Sequence, residues 1–173
     1  MNTSEIIFGG GRFWCTQAIF RQVIGVNNVE SGYSHYASEG GDDQDVSEHG
    51  YSEVVRITYD PQQITLADII RIHLRTHNPT TELGVHDAAG QQFRSVIFFN
   101  NEEERKIIVE IIAEMQSSYE HLIITEILPS HPFEIASADD QDYYKKNTDA
   151  PYCRAVIDFK LQKFKAHFAG YLK

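Results

Sequence analysis

The chain has 173 residues, close to the length of one average domain, so we expect a single domain spanning residues 1–173. Its 25 acidic and 15 basic side chains give a formal net charge of −10 at pH 7. A field of this sign repels phosphate backbones and anionic lipid, so we expect no nucleic-acid partner and no membrane partner. The two cysteines, Cys15 and Cys153, are too few for a disulfide scaffold or a four-cysteine zinc site. The sequence shows no secretory leader and no apolar run of membrane-spanning length, which predicts a cytoplasmic protein.

The first 50 residues indicate a strand, a glycine loop and a helix in succession. An apolar run at 6–8 closes on three glycines at 9–11, and apolar residues then recur at helical spacing over 13–22. Residues 28–36 are predicted to be extended. The polar, acidic stretch 38–50 is predicted to be a loop.

Further strands and helices follow without strict alternation. Val55, Ile57 and Tyr59 alternate with polar residues, which predicts a strand. Thr65 can cap a following helix, which ends before the Asn-Pro pair at 78–79.

The second half of the chain contains four more predicted elements. A strand at 93–99 precedes a helix that begins after Asn101, where three glutamates favour the helix dipole. A strand is predicted at 122–128 and a terminal helix at 159–172. This order of elements predicts an α+β fold with one sheet packed by helices.

The glycine loop at 9–11 is of a kind that presents backbone N–H groups at the positive end of a helix. Trp14 stands where a dinucleotide fingerprint needs glycine, and no Lys-Ser/Thr pair follows the glycines, so neither common nucleotide loop is present. The same geometry suits a thiolate of low pKa. However, Arg12 occupies the first position after the glycines, and Cys15 lies three residues further on.

His73 and His77 are spaced as two metal ligands on one helix face would be. The residues between them lack the glutamate of a zinc protease. A core histidine at 73 and a histidine at the helix C-terminus at 77 explain the spacing without a metal, so we expect no metal site. The strand position of Glu53 leaves two interpretations open, a solvent-facing residue or a functional carboxylate.

Residues 8–20, with the sequence FGGGRFWCTQAIF, resemble the active-site segment of the methionine sulfoxide reductase A family. Seven further matching segments follow in order, so that the resemblance covers nearly the whole chain. They are 25–26 (GV), 31–33 (SGY), 53–61 (EVVRITYDP), 77–81 (HNPTT), 92–95 (QFRS), 141–144 (QDYY) and 151–154 (PYCR). The resemblance implies a two-layer α+β sandwich with a mixed sheet, of the ferredoxin-like kind.

The resemblance also implies an activity, the thiol-dependent reduction of methionine S-sulfoxide, free or in oxidised proteins, as part of oxidative stress repair. In the family, a cysteine directly after the glycines attacks the sulfoxide sulfur, and a glutamate at the position of Glu53 acts as the acid. Phe13 and Trp14 would hold the methyl group, with Phe93 also in the substrate pocket. Cys153 matches a position that resolves the sulfenic acid. Thioredoxin or dithiothreitol would be the reductant, and no bound cofactor is implied.

The residues that depart from the family pattern stand at positions that have a chemical role in the family. Arg12 stands at the nucleophile position, and Gln17 replaces a glutamate one helical turn further on. Ala88 replaces a pocket aspartate and Phe93 a pocket tyrosine. Tyr51 stands where a histidine usually precedes the catalytic glutamate by two, and the acidic loop lacks the family's second oxyanion-binding tyrosine.

Two functions therefore remain open. The first is a reductase whose turnover is lost or severely impaired, with Cys15 as the possible substitute thiol. The second is a non-catalytic binding or regulatory protein that keeps the fold and the pocket of Phe13 and Trp14. Without a thiolate at position 12, no sulfenic acid forms there for Cys153 to resolve.

The position of Arg12 leads to one geometric expectation. A helix N-terminus is a poor place for a cation, and a carboxylate beside Trp14 needs a cation. We expect an ion pair between Arg12 and Glu53 that lowers the pKa of Glu53. The alternative is an Arg12 side chain in solvent that leaves an open pocket.

Overall fold

A six-stranded mixed sheet is the framework of the computed structural model, which describes residues 2–35, 51–80 and 92–173. The strands run in the order β5-β4-β1-β3-β2-β6; β4 and β5 pair in parallel, and the other neighbours are antiparallel. The mixed sheet and the α+β class are as predicted. The strands are β1 (Ser4–Gly9), β2 (Val26–His35), β3 (Tyr51–Tyr59), β4 (Val96–Phe99), β5 (Glu126–Pro129) and β6 (Phe133–Ile135).

Two of the helices begin where local capping signals in the sequence place them. The side chain of Thr65 accepts a hydrogen bond from the backbone N–H of Asp68 at 3.1 Å, and Asn101 accepts one from Glu104 at 2.9 Å. The helices are α1 (Phe13–Phe20), α2 (Leu66–Thr76), α3 (Glu102–Gln116), α4 (Tyr143–Lys146) and α5 (Asp158–His167), with a π-helical turn at Cys153–Ile157 and a 3₁₀ turn at Ala169–Tyr171.

The main core lies between the sheet and the helices that cover one of its faces, and alternate side chains of the central strand β1 point into it. Ile6 and Phe8 are buried there, and the ring of Phe8 lies 5.0 Å from that of Phe20 on α1. Ile7, between them, belongs to a smaller cluster with Val54 and Val96 on the opposite face. Alternation along the strand thus gives each face its own apolar contacts.

Three predicted boundaries are wrong because contacts distant in sequence set them. The strands expected from 93 and from 122 begin only at Val96 and Glu126, where β4 and β5 pair with each other. The terminal helix ends at His167 because the last residues pair with the segment that follows α1. There, Ile24 donates its backbone N–H to Tyr171 at 2.7 Å, and Lys173 donates to Gln22 at 2.9 Å.

No helix within the described ranges combines the length and the apolar composition needed to cross a membrane.

Candidate active site

The glycine loop carries the chain from the central strand to the start of α1. Gly11 has a φ of +71°, a left-handed conformation that glycine adopts without strain, and its N–H donates to the carbonyl of Phe93 at 3.0 Å. A Cβ on Gly9 would collide with the carbonyl oxygen of Glu53. Glycine at these positions therefore lets β3 and the segment of Phe93 approach the N-terminus of α1, where Arg12 is the last residue before the helix.

The guanidinium of Arg12 lies among three aromatic rings. Its Cζ is 4.8 Å from the ring centroid of Trp14, 5.2 Å from that of Tyr152 and 5.7 Å from that of Phe93. These distances are typical of cation–π contacts. The aromatic faces stabilise the cation at a helix end that offers it no favourable dipole.

The predicted ion pair between Arg12 and Glu53 is wrong. Among the described residues, no carboxylate oxygen lies within 4.0 Å of the Arg12 guanidinium, and its N–H groups donate no hydrogen bond. The alternative of a side chain in open solvent is wrong as well, because Arg12 is half-buried against the rings. The aromatic faces take the place that was expected for the carboxylate.

Glu53 is a buried carboxyl on β3, with a side chain directed at the start of α1. Burial raises its pKa to about 7, an effect that the charge on Arg12 and the backbone N–H of Phe13 reduce but do not cancel. The nearby charge of Asp140 raises it further. The expected lowering of this pKa is therefore also wrong, and close to neutral pH Glu53 exists partly as a neutral acid that can donate its proton.

The aromatic pair after Arg12 packs against rings that come from other parts of the chain. Phe13 is 4% exposed and lies 5.4 Å from the ring of Tyr33. Trp14 is half-buried and donates from Nε1 to Asp140 at 3.1 Å, while the ring of Tyr143 stacks on its indole at 3.7 Å and 6°. The hydrogen bond and the stack hold the indole in one orientation.

Tyr143 and Tyr152 were not among the expected site residues, although both lie in segments that carry the family resemblance. Asp140, just before one of those segments, was also missed. All three come from the C-terminal third of the chain and meet α1 only in the folded structure. The available signal was the resemblance itself, at 141–144 and 151–154.

The two cysteines are both buried. Cys15 is 2% exposed and Cys153 fully buried, and both are free thiols. Cys15 lies 3.3 Å from the hydroxyl of Tyr152, the residue before Cys153. Burial, the charge of Asp158 and the proximity of Cys15 all raise the pKa of Cys153. The structure thus brings the two sulfur-bearing residues to one tyrosine and keeps Cys153 in its thiol form at neutral pH.

Gln17 is 1% exposed, and its side-chain amide donates two hydrogen bonds and accepts two, which is all that an amide can form. Its Nε2 donates to the carbonyl of Val29 at 2.9 Å and to Oε1 of Gln141 at 3.1 Å. Its Oε1 accepts from the hydroxyl of Ser31 at 3.0 Å and from the backbone N–H of Asp142 at 2.8 Å. An amide is required here because a carboxylate has no donor for the two carbonyl oxygens.

The structure describes two of the remaining predicted positions, Tyr51 and Phe93. Tyr51 is 45% exposed and its ring packs edge-on against Tyr33 at 5.1 Å. Phe93 contributes its ring to the surroundings of Arg12. Ala88 and the predicted loop at 38–50 lie outside the described residues.

The histidine pair is part of the core. His73 is 1% exposed and bonds the carbonyl of Gly9 at 3.0 Å, while Nε2 of His77 bonds the hydroxyl of Ser95 at 2.7 Å. Burial lowers the pKa of both histidines, that of His77 to about 4, so they are neutral at physiological pH. Within the described part of the chain, no three side chains of metal-ligating type come together.

Comparison with known proteins gives one consistent result. The family model for peptide methionine sulfoxide reductase matches residues 4–171. A protein of Sulfolobus acidocaldarius named peptide methionine sulfoxide reductase MsrA is 38% identical over 162 residues, which cover 92% of each chain. The protein of that name from Saccharolobus solfataricus is 38% identical over 167 residues, covering 95% of this chain and 94% of the relative.

Solved structures show the same likeness. Mxr1 from Saccharomyces cerevisiae in its reduced form has a TM-score of 0.72 and 26% identity, covering 87% of this chain and 89% of that one. A structure of Mxr1 in complex with Trx2 has a TM-score of 0.56 and 25% identity, covering 82% and 84%. The fold, the order of the sequence motifs and these relatives agree: this chain belongs to the peptide methionine sulfoxide reductase family.

Proposed function

We propose that this chain binds methionine S-sulfoxide, free or in oxidised proteins, without reducing it. The observation that carries the proposal is the position of the Arg12 guanidinium, which lies beside Trp14, Phe93 and Tyr152 without a carboxylate partner among the described residues. By the family resemblance, Arg12 stands where the reductases have their nucleophilic cysteine. The proposed pocket therefore has the hydrogen-bond donors of Arg12 where a reductase has its nucleophilic thiolate.

The first step of the family reaction supports binding over turnover. That step is the attack of a thiolate on the sulfoxide sulfur, which leaves a sulfenic acid on the enzyme. Arginine has no sulfur atom, and its guanidinium stays protonated in proteins, so it is not a nucleophile. With Arg12 in this position, Cys153 has no sulfenic acid to resolve there.

The groups around Arg12 suit a sulfoxide. The sulfoxide oxygen accepts hydrogen bonds, and Arg12 has five N–H donors. Glu53, whose pKa is raised to about 7, adds an O–H donor in its protonated form. Phe13 and Trp14 give the methyl group an apolar wall. A thioether lacks the oxygen, so these donors favour the oxidised form of methionine.

A second candidate function is reduction through Cys15. Its Sγ lies 3.3 Å from the hydroxyl of Tyr152, and Cys153 is the next residue, so both thiols are near one group. Thioredoxin or dithiothreitol would then serve as reductant; the structural neighbour Mxr1 is known in complex with Trx2. Against this candidate, Cys15 is 2% exposed and lies one helical turn beyond the nucleophile position.

We further propose that residues 1–173 form one domain and act in the cytoplasm. The family model spans residues 4–171, almost the whole chain. Two free, buried thiols are compatible with a reducing compartment.

The experiment is a titration followed by the fluorescence of Trp14, the only tryptophan of the chain. A short peptide containing methionine S-sulfoxide is compared with the same peptide containing methionine. We expect a saturable signal with the sulfoxide peptide and binding at least about tenfold weaker with the thioether peptide, which cannot accept the hydrogen bonds.

Two variants identify the group responsible. Arg12→Ala should weaken sulfoxide binding about tenfold or more, since it removes charge-assisted donors. Arg154→Ala is the control, because its side chain is 66% exposed and pairs with Asp149 at the surface. Equal or tighter binding by Arg12→Ala would show that the arginine blocks the pocket instead of serving it.

A further inference from the structure

A cleft with a volume of about 610 Å³ lies apart from the three rings around Arg12. It is bordered by the C-terminal end of α2, by the turn that follows α3 and by α5. Its lining shares no residue with the rings around Arg12. The volume is in the range of about 300–1,000 Å³ that is usual for sites of small molecules.

The charge of this cleft opposes that of the chain. Arg75, Lys160 and Lys163 line it, whereas Glu120 is the one carboxylate among its described lining residues. The chain as a whole has 25 acidic and 15 basic side chains. A local excess of cations on an acidic protein concentrates anions at that point.

Among the residues that the structure describes, the cations of the cleft have no acidic partner within 4.0 Å. Six of the eight arginines pair with a carboxylate within 4.0 Å, and the two that do not, among the described residues, are Arg12 and Arg75. Lys160 and Lys163 also form no ion pair within the described ranges. Lys160 is half-buried and reaches the glycine loop, with Nζ 3.7 Å from the place of a Cβ on Gly11. A half-buried cation without a counter-charge is stabilised by a bound anion.

Aromatic side chains complete the lining. The ring of Phe159 is 58% exposed, and Nζ of Lys163 lies 5.5 Å from its centroid. The guanidinium carbon of Arg75 lies 5.8 Å from the ring centroid of Tyr119, and the Tyr119 hydroxyl donates a hydrogen bond to the carbonyl of Leu74 at 2.6 Å. Each ring therefore stands beside a cation, an arrangement that suits a ligand with a planar group attached to an anionic group.

We propose that this basic cleft, formed around Arg75, Lys160, Lys163, Tyr119 and Phe159, binds a small phosphate-bearing molecule with a planar ring, of the chemical class of nucleotides. The three cations take the phosphates, and the exposed face of Phe159 takes the ring. The net charge of −10 disfavours a nucleic-acid polymer, whose phosphates would extend beyond the cleft.

The test is isothermal titration calorimetry on the full chain with three probes, which are ADP, pyrophosphate and adenosine. We expect ADP to bind with sub-millimolar affinity, pyrophosphate more weakly and adenosine weakest, because the charge supplies most of the affinity. Raising the salt concentration should weaken ADP binding. No binding of ADP at millimolar concentration, or adenosine binding as tightly as ADP, would overturn the proposal.

Matched double variants distinguish ADP binding at the cleft from a general effect of the protein's charge on ADP binding. The double variant Arg75→Gln/Lys163→Gln removes two exposed cations of the cleft and should weaken ADP binding at least about tenfold. Lys106→Gln/Lys165→Gln removes two exposed lysines outside the cleft and should leave binding within about twofold. Equal weakening by both double variants would show a diffuse charge effect and contradict the site.

A last pair of measurements concerns the ring and the class of ligand. Phe159→Ser should weaken the binding of ADP and leave that of pyrophosphate unchanged, since only ADP has a ring to stack. A polyglutamate peptide should not displace ADP. Displacement by the peptide at similar concentration would identify the cleft as a surface for acidic protein chains and overturn the proposal.

Discussion

The guanidinium carbon of Arg12 lies 4.8 Å from the ring centroid of Trp14. This contact explains how a cation is accommodated at the N-terminus of α1, where the dipole is unfavourable to it. The aromatic face replaces a carboxylate partner, so the donors of Arg12 stay available to a ligand. The proposed sulfoxide binding depends on this availability.

Replacing Arg12 by cysteine tests whether the rest of the pocket can support turnover. Arg12→Cys should reduce methionine S-sulfoxide at about 1% or less of the rate of a family reductase assayed in parallel. The reason is that Phe93 and Ala88 lack the polar groups of the family pattern, and each lost oxyanion donor costs about 10²–10³ in rate. Thioether formation with dithiothreitol as reductant is the measurement, and Arg154→Cys is the control for a new exposed thiol. Full activity of Arg12→Cys would show that the other substitutions are of little consequence.

Glu53 should make the protein less stable as the pH rises. Its pKa is about 7 in the folded chain against 4.5 for a free side chain, so the folded state holds the proton more tightly. The resulting stability is complete below the unfolded pKa and is lost as the pH rises through the folded one. Glu53→Gln, which has no proton to lose, should gain on the order of 2 kcal/mol relative to wild type between about pH 5 and pH 8.

Urea unfolding of the wild type and of Glu53→Gln at the two pH values is the measurement. Glu103→Gln, at an exposed position in the first turn of α3, is the control and should show a flat difference. A flat difference for Glu53→Gln as well would mean that Glu53 is ionised throughout and that its pKa is not raised.

Restoring the family's glutamate at position 17 should destabilise this chain. Gln17→Glu removes the donors to Val29 and Gln141 and leaves carboxyl oxygens facing carbonyl oxygens. We expect a loss of about 2–4 kcal/mol in the free energy of unfolding, the cost of buried polar groups without partners. Gln162→Glu, at an exposed position of α5, makes the same chemical change as a control. Unchanged stability of Gln17→Glu would show that the network adapts to a carboxyl group.

The two cysteines should be unreactive in the folded chain. Cys15 is 2% exposed and Cys153 fully buried, and the pKa of Cys153 is raised. Ellman's reagent should modify both at least about 100-fold more slowly in the native protein than in urea, because reaction needs an accessible thiolate. Fast native reaction of Cys15 that is lost in Cys15→Ser would favour the candidate function as a reductase through this thiol.

The sequence was informative where structure depends on neighbours along the chain. The strand, the glycine loop, the helix predicted over 13–22 and the caps at Thr65 and Asn101 follow from local patterns, and the structure has all of them, with the helix ending two residues early at Phe20. The surroundings of Arg12 did not follow from local patterns. Tyr152 lies 140 positions further along the chain, and only the folded structure brings its ring next to the guanidinium of Arg12, where a carboxylate was expected. The hydrogen bond from Gln17 to Gln141 could not be predicted for the same reason.

Binding without reduction can be checked by measuring the mass of a methionine S-sulfoxide peptide incubated with this protein. The peptide is used at a concentration that saturates the Trp14 fluorescence change, with dithiothreitol or thioredoxin as reductant. We expect the peptide to bind and to lose oxygen no faster than it does without protein. Loss of one oxygen atom from the peptide, proportional to protein concentration and abolished in Cys15→Ser, would contradict it and establish a reductase that works without a cysteine at position 12.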